Sequence, residues 1–229
     1  MSLLIPVGIV IGAYLIGSIP TSYLVGRLAS GVDIRERGTG NIGASNLTSQ
    51  LGAKWAAPVV VFDVLVKGSL PVLIVSERAL GLGGFGIGME AAVAIASIAG
   101  HNWSVFSGFH GGRGMATMLG ATLALNFPLL IIYGSVPALG VLFSPWKDSA
   151  VWFFAAVILM PVWAVLLNLP VELMWFSVSF ALITAAKRMT SNSLRDADGV
   201  ISTRLLWTRL VFDRDIADRE LWIARQPKR

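Results

Sequence analysis

Residues 115–143 read MATMLGATLALNFPLLIIYGSVPALGVLF, a run of 29 residues without one charged side chain. A membrane-spanning helix needs about 20 mainly apolar residues, with a range of roughly 17–25. The run is too long for one comfortable pass and short for two. Asn126-Phe127-Pro128 interrupts it near the middle. Proline removes a helical donor and disfavours helix at the residue before it. The stretch therefore predicts two short helices that meet at this break.

Working outward, residues 3–25, 54–76 and 80–100 supply apolar runs before it, and 149–167 and 170–186 two more after it. Asn168-Leu169-Pro170 reads as the turn between the last two. The loop at 26–54 carries Arg27, Arg35, Arg37 and Lys54, and residues 187–229 hold ten of the 18 basic residues. Basic loops stay on the cytoplasmic side, so an even number of spans must separate these two segments. Counting 115–143 as one helix gives five, and as two gives six. The expectation is an all-α, polytopic transmembrane helical bundle of about seven spans, with the N-terminus outside and the C-terminus cytoplasmic. Residues 1–186 form the membrane domain, with cytoplasmic loops at 26–54 and 100–117. Residues 187–229 form a basic cytoplasmic tail.

Composition agrees. The chain of 229 residues is 55% apolar and only 14% charged, against about 25% charged in soluble domains. Low-complexity and disordered classes are excluded by the many large apolar side chains. No cysteine is present, which excludes disulfides, thiolate metal sites and a thioester acyl-enzyme. Met1-Ser2-Leu3-Leu4 lacks the basic start of a signal peptide, and the apolar run after it is too long for one. Nucleic acid is not an expected partner, because topology already explains the basic tail. Arg204, Arg209, Arg214 and Arg219 recur every five residues and so form no single helical stripe. Leu205, Leu206, Leu210, Phe212, Trp222 and Ile223 suit either a helix at the membrane surface or a frayed extension.

Two loops carry the chemistry. The first runs Asp33-Ile34-Arg35-Glu36-Arg37-Gly38-Thr39-Gly40-Asn41-Ile42-Gly43-Ala44-Ser45-Asn46. Glycines let backbone approach a ligand closely, successive amides form an anion-binding nest, and a helix starting at Ala44 adds its positive end. Arg35 and Arg37 suit phosphate oxygens, and Thr39, Asn41 and Ser45 add hydrogen bonds. A capped turn with topology-setting arginines explains the same residues. The second loop runs Gly100-His101-Asn102-Trp103, then Phe109-His110-Gly111-Gly112-Arg113-Gly114-Met115-Ala116-Thr117. A glycine cluster with a basic residue again precedes a helix, outside the Walker spacing. His101 and His110 are the chain's two histidines; a histidine can take a hydroxyl proton near neutral pH, and His101 equally suits a helix C-cap. Trp103 suits an interfacial anchor. Inside the spans, Asp63 and Lys67 lie four apart on one helical face and can pair, which suits a structural pair or the floor of a site better than ion transport; Glu90 stands alone there. No Asp, Glu and His cluster has metal-ligand spacing, and no cofactor is expected.

On Gly17-Ser18-Ile19-Pro20-Thr21-Ser22-Tyr23 with the Gly38–Asn46 segment, Asp63 with Lys67-Gly68, and Gly100–Trp103 with Gly111–Gly114 and Ala116-Thr117, the chain resembles the bacterial acyl-phosphate:glycerol-3-phosphate acyltransferases of the PlsY type. The resemblance runs to about Gly199. Thr39 and Ser45 stand where the family usually has Ser and Thr, and His110 and Arg113 where it has Lys. A third motif keeps Arg188, Asn192, Arg195 and Gly199, while Met189, Thr190, Val200 and Ile201 replace a His, an Arg, a Thr and a Glu.

The resemblance implies transfer of an acyl group from acyl phosphate to the 1-hydroxyl of glycerol 3-phosphate. The product is lysophosphatidic acid, for phospholipid synthesis in a bacterial cytoplasmic membrane, with membrane lipids as surroundings and the protein working as a monomer. It implies catalytic roles for Thr39, Arg35, His101 and Asn192, with His101 or an oxygen of substrate phosphate accepting the hydroxyl proton. Phosphate binding falls to Gly38, Gly40, Asn41, Gly43, Ser45, Asn46, Gly111, Gly112, Arg113, Gly114, Thr117, Arg188 and Arg195. The rivals are a small organic-phosphate transporter and a non-catalytic paralogue that binds phosphate-bearing ligands. Transporters hold substrate near the midplane between repeats, whereas these polar segments lie in face loops and no internal repeat is visible.

Overall fold

The computed structural model describes residues 3–77, 85–190 and 202–224. Every regular element among them is helical. The chain forms two compact units, one covering Met1–Phe127 and the other Pro128–Ala224.

In the first unit α1 (Leu4–Gly17) and α2 (Thr21–Ser30) divide what the sequence presents as one apolar run. Pro20 is the cause: at φ −85 and ψ 65 it makes an inverse γ-turn, closed by the Thr21 amide on the Ile19 carbonyl at 2.9 Å. After α2 come a short 3-10 turn at Ile34–Glu36 and α3 (Ala44–Leu51). Ile34, Ile42 and Leu47 sink into a small core against Ala56 and Val59, which fixes the first loop on the next helix. That helix is continuous over Ala53–Val75, but it comprises α4 (Ala53–Phe62), a π-helical segment (Asp63–Ser69) and α5 (Leu70–Val75). The π turn closes from i to i+5 rather than to i+4, and such turns often mark functional sites. Ser97 Oγ donates to the Lys67 carbonyl at 2.6 Å.

Two antiparallel contacts join this unit, and both are made by glycine. In α6 (Gly86–Asn102) Gly100 lies against the Tyr14 carbonyl, and in α1 Gly17 lies against the Ser97 carbonyl. In α7 (Met115–Leu125) Gly120 lies against the Val64 carbonyl, and Gly68 against that of Thr117. A Cβ at any of the four would overlap backbone. Small residues of this kind let helices in lipid approach closely. Ser69 Oγ adds a bond to the Gly120 carbonyl at 2.9 Å. Glu90 is buried in α6.

The break expected at Asn126 is present. α7 ends at Leu125, Asn126 is extended, and α8 runs over Phe127–Phe143. In the second unit α9 (Ser149–Leu166) and α10 (Val171–Thr190) are joined through Asn168, at φ +50. Tyr133 meets the Phe180 ring edge-on at 6.1 Å in the core. The tail docks on this unit. Its α11 (Thr203–Phe212) is capped by Ser202, and Leu205 and Arg209 are buried. Arg209 pairs with Asp215 at 2.6 Å, and Arg214 pairs with Asp148, the N-cap of α9. α12 (Arg219–Ala224) follows, with Trp222 buried.

Among the described residues, three helical stretches are long and apolar enough to cross a membrane: Leu4–Ser30, Ala53–Val75 and Ser149–Leu166. Numerous large apolar side chains face outward, among them Leu4, Ile11, Val61, Leu65, Val162 and Leu182. The described residues thus keep outward-facing what a soluble fold would bury.

Candidate functional site

At the end of α2 Gly31 takes φ +68, and the chain turns so that the Asp33 carboxylate faces back. It accepts the Arg35 amide at 3.0 Å, Arg35 Nε and Nη2 at 2.9 and 2.7 Å, and Arg27 Nη2 at 3.1 Å. Both guanidinium groups also cover the Tyr23 ring, at 4.7 Å for Arg35 and 5.7 Å for Arg27. The Arg35 hydrogen bonds hold the Asp33 carboxyl well down, from its ordinary 3.8 to about 2.

A folded-state pKa below the unfolded one means that ionised Asp33 stabilises the fold. That contribution is complete above about pH 4 and is lost as pH falls toward 2. Asp33→Asn is therefore expected to lower thermal stability at neutral pH, with the gap to the parent closing as pH drops through that window. A gap that stays constant down to the acid end would show that charge is not its source.

Asn46 organises the rest of this loop. Its side chain is buried, its Nδ2 donates to the carbonyls of Ile34, Arg37 and Asn41 at 2.8, 3.1 and 3.0 Å, and its Oδ1 accepts the Thr39 amide at 3.1 Å. Gly38 and Gly40 take φ +56 and +71 to wrap around it, and a Cβ on Gly38 would strike the Asn46 and Gln50 side-chain amides. The Gly40 amide bonds the Arg37 carbonyl, and the Asn41 amide approaches Thr39 Oγ1 at 3.4 Å. The amides of Thr39, Gly40 and Asn41, read from sequence as an anion nest, are thus engaged inside the loop. Gly43 caps α3, and Ser45 is exposed. The side-chain oxygen of Asn41 is buried and meets no protein donor.

The second loop leaves α6 at Trp103. Tyr14 Oη donates to the Trp103 carbonyl at 2.6 Å, and Ser104 Oγ donates to the Ser18 carbonyl. These bonds staple the end of α6 to the α1–α2 break. After a 3-10 turn at Val105–Ser107, Gly111 and Gly112 run back over the end of α6. The Gly112 amide donates to the His101 carbonyl at 3.0 Å. A side chain on Gly111 would strike the carbonyls of His101 and Asn102, and one on Gly112 the His101 Nε2. Gly114, at φ +73, abuts the Asn102 side chain and starts α7. The glycines therefore serve close packing on His101 and Asn102 as directly as any ligand. Arg113 is half-buried between them, and the Thr117 hydroxyl is buried without a protein partner.

Behind His101 lies a charged cluster. Lys67 Nζ is 2.6 Å from Asp63 Oδ1, and both side chains are 2% exposed. Thr21 Oγ1 donates to Asp63 Oδ1 at 2.8 Å and accepts from Lys67 Nζ at 3.0 Å. His101 Nδ1 stands 3.8 Å from Asp63 Oδ2. Lys67, Thr21, His101, Ser18, His110, Gly111 and Gly112 line one narrow cleft, whose empty space of about 190 Å³ includes the open solvent at its mouth. The Ser18 hydroxyl, buried in its wall, has no protein partner.

The cleft thus gathers His101, Gly111 and Gly112 from the expected set, with Ile42 as the first loop's contribution. Arg188 belongs to the second unit. Its Nη1 donates to the carbonyls of Leu210 and Val211, its Nη2 donates to that of Ala150, and its guanidinium covers Phe154. Asn192, Arg195, Gly199, Val200 and Ile201 lie outside the described residues. Sequence reasoning gave Asp63 and Lys67 as a structural pair or a site floor without naming them among the site residues, and it left out Ser18 and Thr21. The available signal was a pair of opposite charges four apart inside a span, facing a polar break at Ser18–Thr21.

Residues 7–196 match the family described as Glycerol-3-phosphate acyltransferase. A curated relative from Dehalococcoides mccartyi, glycerol-3-phosphate acyltransferase 5, is 35% identical over 94% of this chain and 91% of its own length. One from Moorella thermoacetica is 48% identical over 53% of this chain and 58% of its own. Among solved structures, the glycerol 3-phosphate form of PlsY (YgiH), an integral membrane glycerol 3-phosphate acyltransferase, superposes with a TM-score of 0.71 at 30% identity. The match covers 80% of this chain and 88% of that one. With sequence and fold in agreement over most of its length, the chain belongs to the glycerol-3-phosphate acyltransferase family, of the PlsY type.

Proposed function

We propose that this protein transfers an acyl group from acyl phosphate to the 1-hydroxyl of glycerol 3-phosphate, giving lysophosphatidic acid for phospholipid synthesis. The observation that carries the reading is the cleft itself. A histidine and a buried ammonium face a space bounded by a glycine-rich loop with Arg113 beside it. His101 accepts the proton of the attacking hydroxyl. The hydroxyl oxygen bonds the acyl carbon, the bond from that carbon to the phosphate oxygen breaks, and inorganic phosphate leaves. Arg113, with the amides of Gly111 and Gly114, holds the phosphate of glycerol 3-phosphate. Arg35, Thr39, Asn41 and Ser45 receive the acyl phosphate. Gly112 and Asn46 position the loops, and Arg188 is left to the tail, whose carbonyls engage it.

The reading places the protein as a monomer in a bacterial cytoplasmic membrane. It makes seven helical passes with the N-terminus outside, and both loops and the tail lie on the basic, cytoplasmic face. α7 counts as a short pass, since 11 residues rise only about 16 Å.

The test is acyl transfer by purified protein in lipid, from palmitoyl phosphate to radiolabelled glycerol 3-phosphate. Arg113→Ala is expected to raise KM for glycerol 3-phosphate roughly ten- to hundredfold, the worth of a charge-assisted hydrogen bond. Absence of lysophosphatidic acid from folded parent protein, beside an active relative, would instead favour a non-catalytic ligand-binding paralogue.

A further inference from the structure

The second loop carries an apolar tip that the chemistry above does not use. Val105, Phe106 and Phe109 are 41%, 61% and 62% exposed, and residues 103–109 contain no charged side chain. Phe109 holds φ +62, a left-handed backbone that bulky residues rarely adopt and that persists only where surrounding structure enforces it. The enforcement is visible: the Phe109 amide bonds the Ser104 carbonyl at 2.8 Å, and the His110 ring nitrogen lies 2.9 Å from the Gly108 carbonyl. The tip begins three residues beyond the end of α6, whose last turn is stapled to the first membrane helix through Tyr14 and Ser104. It ends at His110, and both Ser104 and His110 line the cleft.

The geometry points to a lipid-facing wedge. We propose that Val105, Phe106 and Phe109 insert into the bilayer interface beside the cleft and bring the acyl chain of a membrane-dissolved donor to it. Aromatic rings favour that depth. The constrained backbone keeps them turned outward, where water would penalise them. The donor's polar head then reaches the cleft while its hydrocarbon stays in lipid. The second half of this inference rests on the acyl-transfer reading; the insertion does not.

The cysteine-free chain allows a clean test. Phe106→Cys and Phe109→Cys, each nitroxide-labelled in the full protein, are reconstituted in phosphatidylethanolamine–phosphatidylglycerol vesicles, with Arg37→Cys as reference. Oxygen is expected to relax both tip labels more strongly than a water-soluble nickel chelate, the reverse of position 37. Nickel access equal to that at position 37, or shielding from both reagents, would overturn the insertion. For the donor link, Phe106→Asp/Phe109→Asp is expected to raise KM for palmitoyl phosphate about tenfold or more, while butyryl phosphate is turned over as before. Equal losses on both donors, or none, would overturn that link while leaving the labelling result to stand alone.

Discussion

Lys67→Met is expected to cost about 3–5 kcal/mol of stability, the range for removing one partner of a buried ion pair. Lys67 and Asp63 are both almost inaccessible and 2.6 Å apart, with the Thr21 hydroxyl bridging them. Without the ammonium, Asp63 keeps one hydroxyl donor and a histidine at 3.8 Å, too little for a charge in these surroundings. A thermal melt in detergent reads the loss. Asp63→Asn with Lys67→Met should recover most of it, because neither charge then remains to be compensated. Acyl transfer should stay low in the double variant, since Lys67 lines the cleft. If the single variant melts with the parent, the pair contributes nothing and Asp63 is held by other groups.

Gly112→Ala should leave the fold standing and lower kcat by about 10²–10⁴, the contribution of a positioned general base. One methyl group there would occupy the space of His101 Nε2, so the ring must rotate away from the cleft or the loop must lift. The Gly112 amide, bonded to the His101 carbonyl, resists the second. KM for glycerol 3-phosphate should move less than kcat. Undiminished kcat would remove His101 from the chemistry and leave an oxygen of the substrate phosphate as the proton acceptor.

The sequence made some features plain and hid others for physical reasons. The break at Asn126 was legible because proline acts locally, and the turn at Asn168 for the same reason. The division of residues 3–25 at Ser18–Pro20 was hidden, although proline was again present, because the apolar run continues on both sides. The glycine loops were legible as glycine-rich turns before helices. What they pack against was not, since close approach of Gly112 to His101 is a tertiary fact. Asn46 was read as a ligand-binding residue, yet it bonds three carbonyls and an amide of its own loop. Only closure of the chain around it reveals that role. Asp63 and Lys67 were recognised as a pair by spacing alone, but nothing local tells that His101 stands behind them. Arg188 kept the family's spacing and still faces carbonyls of the tail.

The π segment at Asp63–Ser69 bears on how relatives are aligned. A π turn closes from i to i+5 where an α turn closes from i to i+4, so the helix holds one residue more than the same frame wound as α-helix. A relative whose matching helix is α-helical throughout would align correctly only with a one-residue gap between Pro58 and Pro71, in the middle of a span where alignments are normally kept ungapped. Forced through without the gap, the comparison would set this chain's aspartate or its lysine opposite a lipid-facing position and score a retained charge pair as lost.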